Sequence, residues 1–139
     1  YSFDIYFRMA VIDEYLKNNE KIWELYNKMQ YIRCIQNKRI PKYMMFHKNE
    51  FIELINNFMH HGYNPDFPIL INKNGLIIDG AHRMACALYF KSQHVYIEKT
   101  AKTINIIPAE YSKKWFKENE LFECIKLGET QKEKIMKQI

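Results

Sequence analysis

The chain has 139 residues, 47% hydrophobic and 15% aromatic, with 21 Lys and Arg against 16 Asp and Glu for a formal charge of +5. That length and composition suit one domain with a real core and exclude a disordered chain. No apolar run approaches the roughly 20 residues a membrane span needs, and nothing at the start resembles a signal peptide. The positive excess favours anionic partners without choosing among nucleotides, nucleic acids and phosphorylated sugars. Cys34, Cys86 and Cys124 stand singly, in odd number and without C-x-x-C spacing. Free thiols in a reducing cytoplasm are therefore expected, and no zinc site.

In chain order, Phe3 to Asn37 reads as helical. Ile5, Ala10, Ile12, Trp23, Leu25, Tyr26, Met29 and Ile32 recur at three- and four-residue intervals, and Asn18-Asn19 marks a break between two helices. The aromatic residues of this stretch read as packing. Lys38-Arg39-Ile40-Pro41-Lys42 is a basic connector whose proline leaves the helix. Lys48 to His60 places Phe51, Leu54, Ile55 and Phe58 on one helical face, with Gly62 as a stop and Asn64-Pro65-Asp66 as a turn. His60 and His61 are adjacent, so on a helix they point about 100° apart and chelate one ion poorly.

Phe67 to Asn72 is a short apolar β-rich run, Lys73-Asn74-Gly75 a tight turn and Leu76-Ile77-Ile78 a second run, together a hairpin signal. After Asp79-Gly80 the pattern turns helical through Met84, Ala85, Ala87 and Leu88. Cys86 sits among these small residues, where packing is expected. Val95 to Glu98 is a third β-like run and Thr103 to Ile107 a candidate fourth. Pro108 precedes a helix bearing Tyr111, Trp115 and Phe116, whose spacing suits a core better than a base-stacking platform. Glu129 to Ile139, rich in Lys and Glu, reads as a surface helix or frayed end. The fold class is α+β: a single domain over 1–139, with a small mixed sheet and packed helices. It comprises an N-terminal helical extension (1–37), a motif-bearing core (38–107) and C-terminal helices (108–139).

The candidate site lies where the period changes. At Asp79-Gly80 a strand ends, glycine permits an unusual backbone angle, and a helix begins with its first amides unpaired. Those amides and the helix dipole attract anions. His82 and Arg83 fall in the first turn, where the same dipole disfavours cations, so an external anion or a carboxylate is needed to offset them. Asp79 is placed to cap the helix or to hold His82 or Arg83.

From Phe51 to Leu88 the chain resembles the ParB/sulfiredoxin superfamily. The likeness rests on the helix Phe51-Ile52-Glu53-Leu54-Ile55, Gly62, the strand Pro68-Ile69-Leu70-Ile71, and Ile77-Ile78-Asp79-Gly80-Ala81-His82-Arg83-Met84-Ala85-Cys86-Ala87-Leu88. The narrower likeness is to ParB-like proteins near cell-surface polysaccharide genes. The resemblance implies that Gly80, Ala81, His82 and Arg83 cradle nucleotide phosphates, with Asp79, His82 and Arg83 as the catalytic candidates. It implies ATP or ADP as ligand, CTP as a further candidate, and Mg²⁺ arriving with the nucleotide rather than in a protein metal site.

Sulfiredoxins carry their catalytic cysteine where this chain has Ala81, and Cys86 lies more than a turn away, which speaks against sulfiredoxin chemistry. The reaction expected instead is phosphoryl transfer to a small-molecule hydroxyl, with charge from His82, Arg83 and Lys42. Glu50, Glu53 and Asp66 are the nearest carboxylates, and spacing picks out no base among them. The alternatives are a non-catalytic nucleotide-binding regulatory module, or a CTP- and DNA-binding or nuclease protein. The latter is not favoured, because little chain follows Ile107 for a helix-turn-helix domain, and Lys126 to Lys137 is balanced by Glu129 and Glu133.

Overall fold

The computed structural model describes residues 2–36, 44–100 and 112–137. The elements run α1 (Phe3–Leu16), α2 (Ile22–Gln36), α3 (Met44–His61), β1 (Ile69–Ile71), β2 (Ile77–Asp79), α4 (Ala81–Tyr89), β3 (Ile97–Lys99), α5 (Lys113–Glu118) and α6 (Phe122–Met136). The basic connector at Lys38–Lys42, the candidate strand at Thr103–Ile107, and Pro108 and Tyr111 lie outside the described residues.

Every residue of α1 from Phe3 to Ile12 is buried. A helix covered on all sides belongs in the interior, and α2, α4 and α6 pack around this one. The segment read as a helical extension thus supplies the centre of the core. Two of its buried residues are charged: Asp4 and Arg8 form an ion pair one helical turn apart. The break expected at Asn18-Asn19 is present, with Asn18 at φ +63° between α1 and α2.

The three strands form one mixed sheet in the order β2-β1-β3. β1 and β2 are antiparallel, whereas β1 and β3 are parallel, with Ile69 opposite Ile97. The β1–β2 turn is organised by Asn72, whose side-chain oxygen accepts from the amides of Asn74 (2.9 Å) and Leu76 (3.0 Å). This is Asx-turn chemistry, and it delivers β2 to the Asp79-Gly80 junction. The chain then crosses through α4 to reach the far edge of the sheet.

The Lys- and Glu-rich tail is helical through Met136 and largely exposed, as expected of a surface helix, and the inward side of α6 lies mostly ahead of it. Cys124, Gly128 and Gln131 of α6 are buried, and a Cβ at Gly128 would lie 2.7 Å from Phe3 Cζ. The close approach of α6 to α1 therefore requires a residue without a side chain at position 128. Trp115 and Phe116 of α5 are core residues, and the Trp115 indole donates to Gln36 Oε1 at 2.8 Å. Among the described residues, no helix is long and apolar enough to cross a membrane.

Gly128→Ala forces a rigid aromatic ring to move, and overpacking of this kind costs about 1–3 kcal/mol. Chemical denaturation should show that loss. In a double-mutant cycle, Phe3→Leu should cost less in the Gly128→Ala background than alone; strict additivity would contradict the contact.

Candidate functional site

Gly80 is the N-cap of α4, at φ +103° and ψ +21°. A Cβ there would meet Ile69 Cα at 3.2 Å and Arg83 Nη2 at 3.3 Å. Glycine accordingly serves twice, supplying the left-handed backbone and letting the helix start press against β1. The first bond of the helix runs from the Met84 amide to the Gly80 carbonyl at 2.8 Å. The amides of Ala81, His82 and Arg83 precede it, at the positive end of the helix dipole.

Gly80, not Asp79, holds the N-cap position of α4, and it brings no side-chain cap. Asp79 is 68% exposed, and its carboxylate stands 3.5 Å from Arg83 Nη2, the outer limit of a hydrogen bond. The firmer anchor of Arg83 is the Pro68 carbonyl, at 3.2 Å. Pro68 precedes β1, so the guanidinium is held across the sheet edge. Arg83 Nε is buried with no hydrogen-bond partner among the described residues.

His82 departs further from expectation. It is not a cation awaiting an anion; its imidazole is held well below the usual histidine value, first by burial and then by the charges of Arg8 and Arg33. Its hydrogen bonds fix the tautomer. Arg33 Nη1 donates to Gln30 Oε1 (2.9 Å), which turns the Gln30 amide nitrogen toward the Tyr26 hydroxyl (3.2 Å). Tyr26 accepts that bond and donates its own O–H to His82 Nε2, at 2.8 Å. Arg8 Nε also approaches His82 Nε2, at 3.4 Å. An arginine can only donate, so both ends of the relay leave Nε2 as the acceptor. His82 is therefore neutral, with its proton on Nδ1. Phe51 of α3 packs edge-on against the imidazole, ring centres 4.6 Å apart.

These side chains wall a cavity of about 470 Å³ at the N-terminus of α4, within the size range of small-molecule sites. Gly80, Ala81, His82, Arg83 and Asp79 all line it. Arg8, Arg33, His47 and Glu50 join them from α1, α2 and α3. Of the carboxylates weighed from sequence, Glu50 faces this cavity, Glu53 faces the adjoining one, and Asp66 lines neither. Lys42 lies outside the described residues. Reading the N-terminal aromatic helices as packing alone missed Tyr26, which reaches the motif from 56 positions away. Arg8 and Arg33 gave no local signal either.

Three guanidinium groups, of which Arg8 is paired with Asp4, share this cavity with a helix N-terminus and the carboxylates of Glu50 and Asp79, a donor set that suits an anion. Among the described residues no group of three His, Cys, Asp or Glu side chains with metal-binding geometry occurs. Cys86 is fully buried and its thiol is pushed upward by burial, in keeping with a packing role. Comparison with protein-family models, with curated proteins and with solved structures finds no match.

The neutral His82 gives a signed pH dependence. The unfolded chain takes up a proton as pH falls through about 6.5, while the folded chain does not. Stability is thus fully present above that value and declines below it, by up to about 1.4 kcal/mol per pH unit. Urea unfolding from pH 7.5 to 5.5 should show the decline, and long-range ¹H–¹⁵N NMR should find Nε2 unprotonated throughout. Protonation of His82 near pH 6.5 in the folded protein would overturn the assignment.

Proposed function

We propose that this chain is a nucleotide-binding protein of the ParB/sulfiredoxin type that transfers a phosphoryl group from ATP or ADP to a small-molecule hydroxyl. The observation that supports it is the convergence of Arg8, Arg33 and Arg83 on the uncapped N-terminus of α4. Phosphoryl transfer requires little covalent chemistry from a protein. It requires positioning and positive charge around the equatorial phosphoryl oxygens.

In this reading the amides of Ala81, His82 and Arg83 hold a phosphate, and Arg83 bridges toward the transferred group. The Nδ1–H of neutral His82 is a donor that adds no competing charge. Mg²⁺ travels as the nucleotide complex, held by phosphate oxygens. Glu50 is the base: its carboxylate takes the acceptor hydroxyl proton, the acceptor oxygen bonds to phosphorus, and the shortened nucleotide leaves with the electron pair of the broken P–O bond. The three buried free thiols suit a cytoplasmic setting.

Calorimetry with ATP, ADP and CTP in the presence of Mg²⁺ tests the binding. Arg83→Ala removes charge-assisted hydrogen bonds and should weaken the preferred nucleotide about 10- to 100-fold. No binding by any of the three would sink the nucleotide reading. Glu50→Gln should leave affinity within about twofold and lower turnover on a competent alcohol by about 100-fold or more. Tight binding with no transfer to any alcohol would mark a regulatory module, and a salt-dependent DNA shift would favour the partition branch.

A further inference from the structure

A second cavity, of about 680 Å³, adjoins the arginine-lined one and shares Glu50, Leu54 and Arg83 with it. One wall is a polar stripe of α3. Glu50, Glu53, Asn57 and His61 follow at spacings of three, four and four, which places them on one helical face. The opposite wall is the turn after α3, which presents Tyr63 and Phe67.

That turn is held in place before any ligand arrives. The Tyr63 hydroxyl is directed at the carbonyls of Phe67 (3.0 Å) and Tyr96 (3.3 Å). Asn64 Oδ1 accepts from the Asp66 amide at 3.0 Å, and the Phe67 amide donates to the Asn64 carbonyl at 3.2 Å. Phe67 nonetheless remains 57% exposed. An ordered turn that leaves a large aromatic face open beside a row of acceptors has the form of a ligand wall.

We propose that this second cavity seats the acceptor of the phosphoryl transfer, and that the acceptor is a neutral polyhydroxylated molecule of the carbohydrate or polyol class. The inference rests on the phosphoryl-transfer reading above. Carboxylate and amide oxygens accept from neighbouring hydroxyls, and aromatic faces cover the apolar C–H faces of such molecules. Glu50 and Glu53 repel an anionic acceptor. A nucleobase would leave these two carboxylates with few donors to meet, and unmatched polar groups cost affinity. The shared wall sets the division of labour. The acceptor hydroxyl reaches Glu50 at the seam, gives up its proton there, and attacks a phosphoryl group held by Arg83 from the other side.

Chemical-shift titration of the full ¹⁵N-labelled chain separates the two seats, with glucose, glycerol, adenosine and ADP as probes. Glucose or glycerol, up to about 100 mM as befits millimolar affinity, should move the amides of Asn57, Gly62, Tyr63 and Phe67. ADP should move those of Gly80 to Arg83 instead. Glu53→Gln and Phe67→Ala alter exposed side chains. Each should weaken the sugar about fivefold or more and leave ADP within about twofold. No response of the turn to either polyol, or a stronger response to adenosine, would overturn the proposal. Sugar shifts without any ADP response would preserve the sugar seat but remove its acceptor role together with the phosphoryl-transfer reading.

Discussion

A line of obligatory donors runs through the middle of this protein and fixes its candidate site. Arg33 can only give hydrogen bonds, and so can Arg8. Between them Gln30, Tyr26 and His82 must arrange their donors and acceptors in one order, from Arg33 inward to the Nε2 of His82. The members come from α1, α2 and α4, so the relay is also the polar contact that joins the two N-terminal helices to the motif. Tyr26 is wholly buried, and burial holds its phenol proton on up to about 12, which keeps the relay uncharged between its arginine ends. Asp4 completes the system by pairing with Arg8 inside the core. Buried networks of this kind are stable when every member is satisfied and costly when one is lost, and removing one partner of a buried ion pair costs about 3–5 kcal/mol.

The division between what the sequence revealed and what it concealed follows from the range of the forces. The Asp79–Arg83 junction was legible because its signals are local: a β-rich run, a glycine and a small-residue helix lie within a dozen positions. The helices, the Lys73-Asn74-Gly75 turn and the mixed sheet were legible for the same reason. Two local roles were not legible in this way. Asp79 was placed either to cap the helix or to hold His82 or Arg83; Gly80 takes the cap position, and the Asp79 carboxylate lies against Arg83 instead. His82 looked like a cation because its immediate neighbours suggested nothing else. Its neutrality comes first from burial under elements distant in sequence, and then from the charges of Arg8 and Arg33, 74 and 49 positions away.

Periodicity shows which face of a helix is apolar but not what covers it. α1 gave the pattern of an ordinary amphipathic helix because Asp4 and Arg8, one turn apart, look the same in sequence whether they meet in water or in a core. The helix is interior from Phe3 to Ile12, and these charges are satisfied by each other and by the site. The same blindness applied to Tyr26, whose spacing suits packing and whose hydroxyl is nevertheless part of the relay. The cavity chemistry depends on these long-range contacts. A helix N-terminus alone carries only a partial positive charge; Arg8 and Arg33 reach the same cavity from α1 and α2 and join Arg83 there.

The interior position of α1 also bears on how the chain is made. This helix is synthesised before the elements that enclose it, and the helix that presses Gly128 against Phe3 is among the last of the described segments to emerge. Until residues 122–136 have left the ribosome, one flank of the most apolar helix has no permanent cover. Contacts between segments far apart in sequence close slowly, and an apolar surface exposed meanwhile invites association with other chains. During synthesis, then, the helix on which the finished core is built is a liability, and a nascent chain of this fold would be a natural client for a chaperone that shields apolar segments.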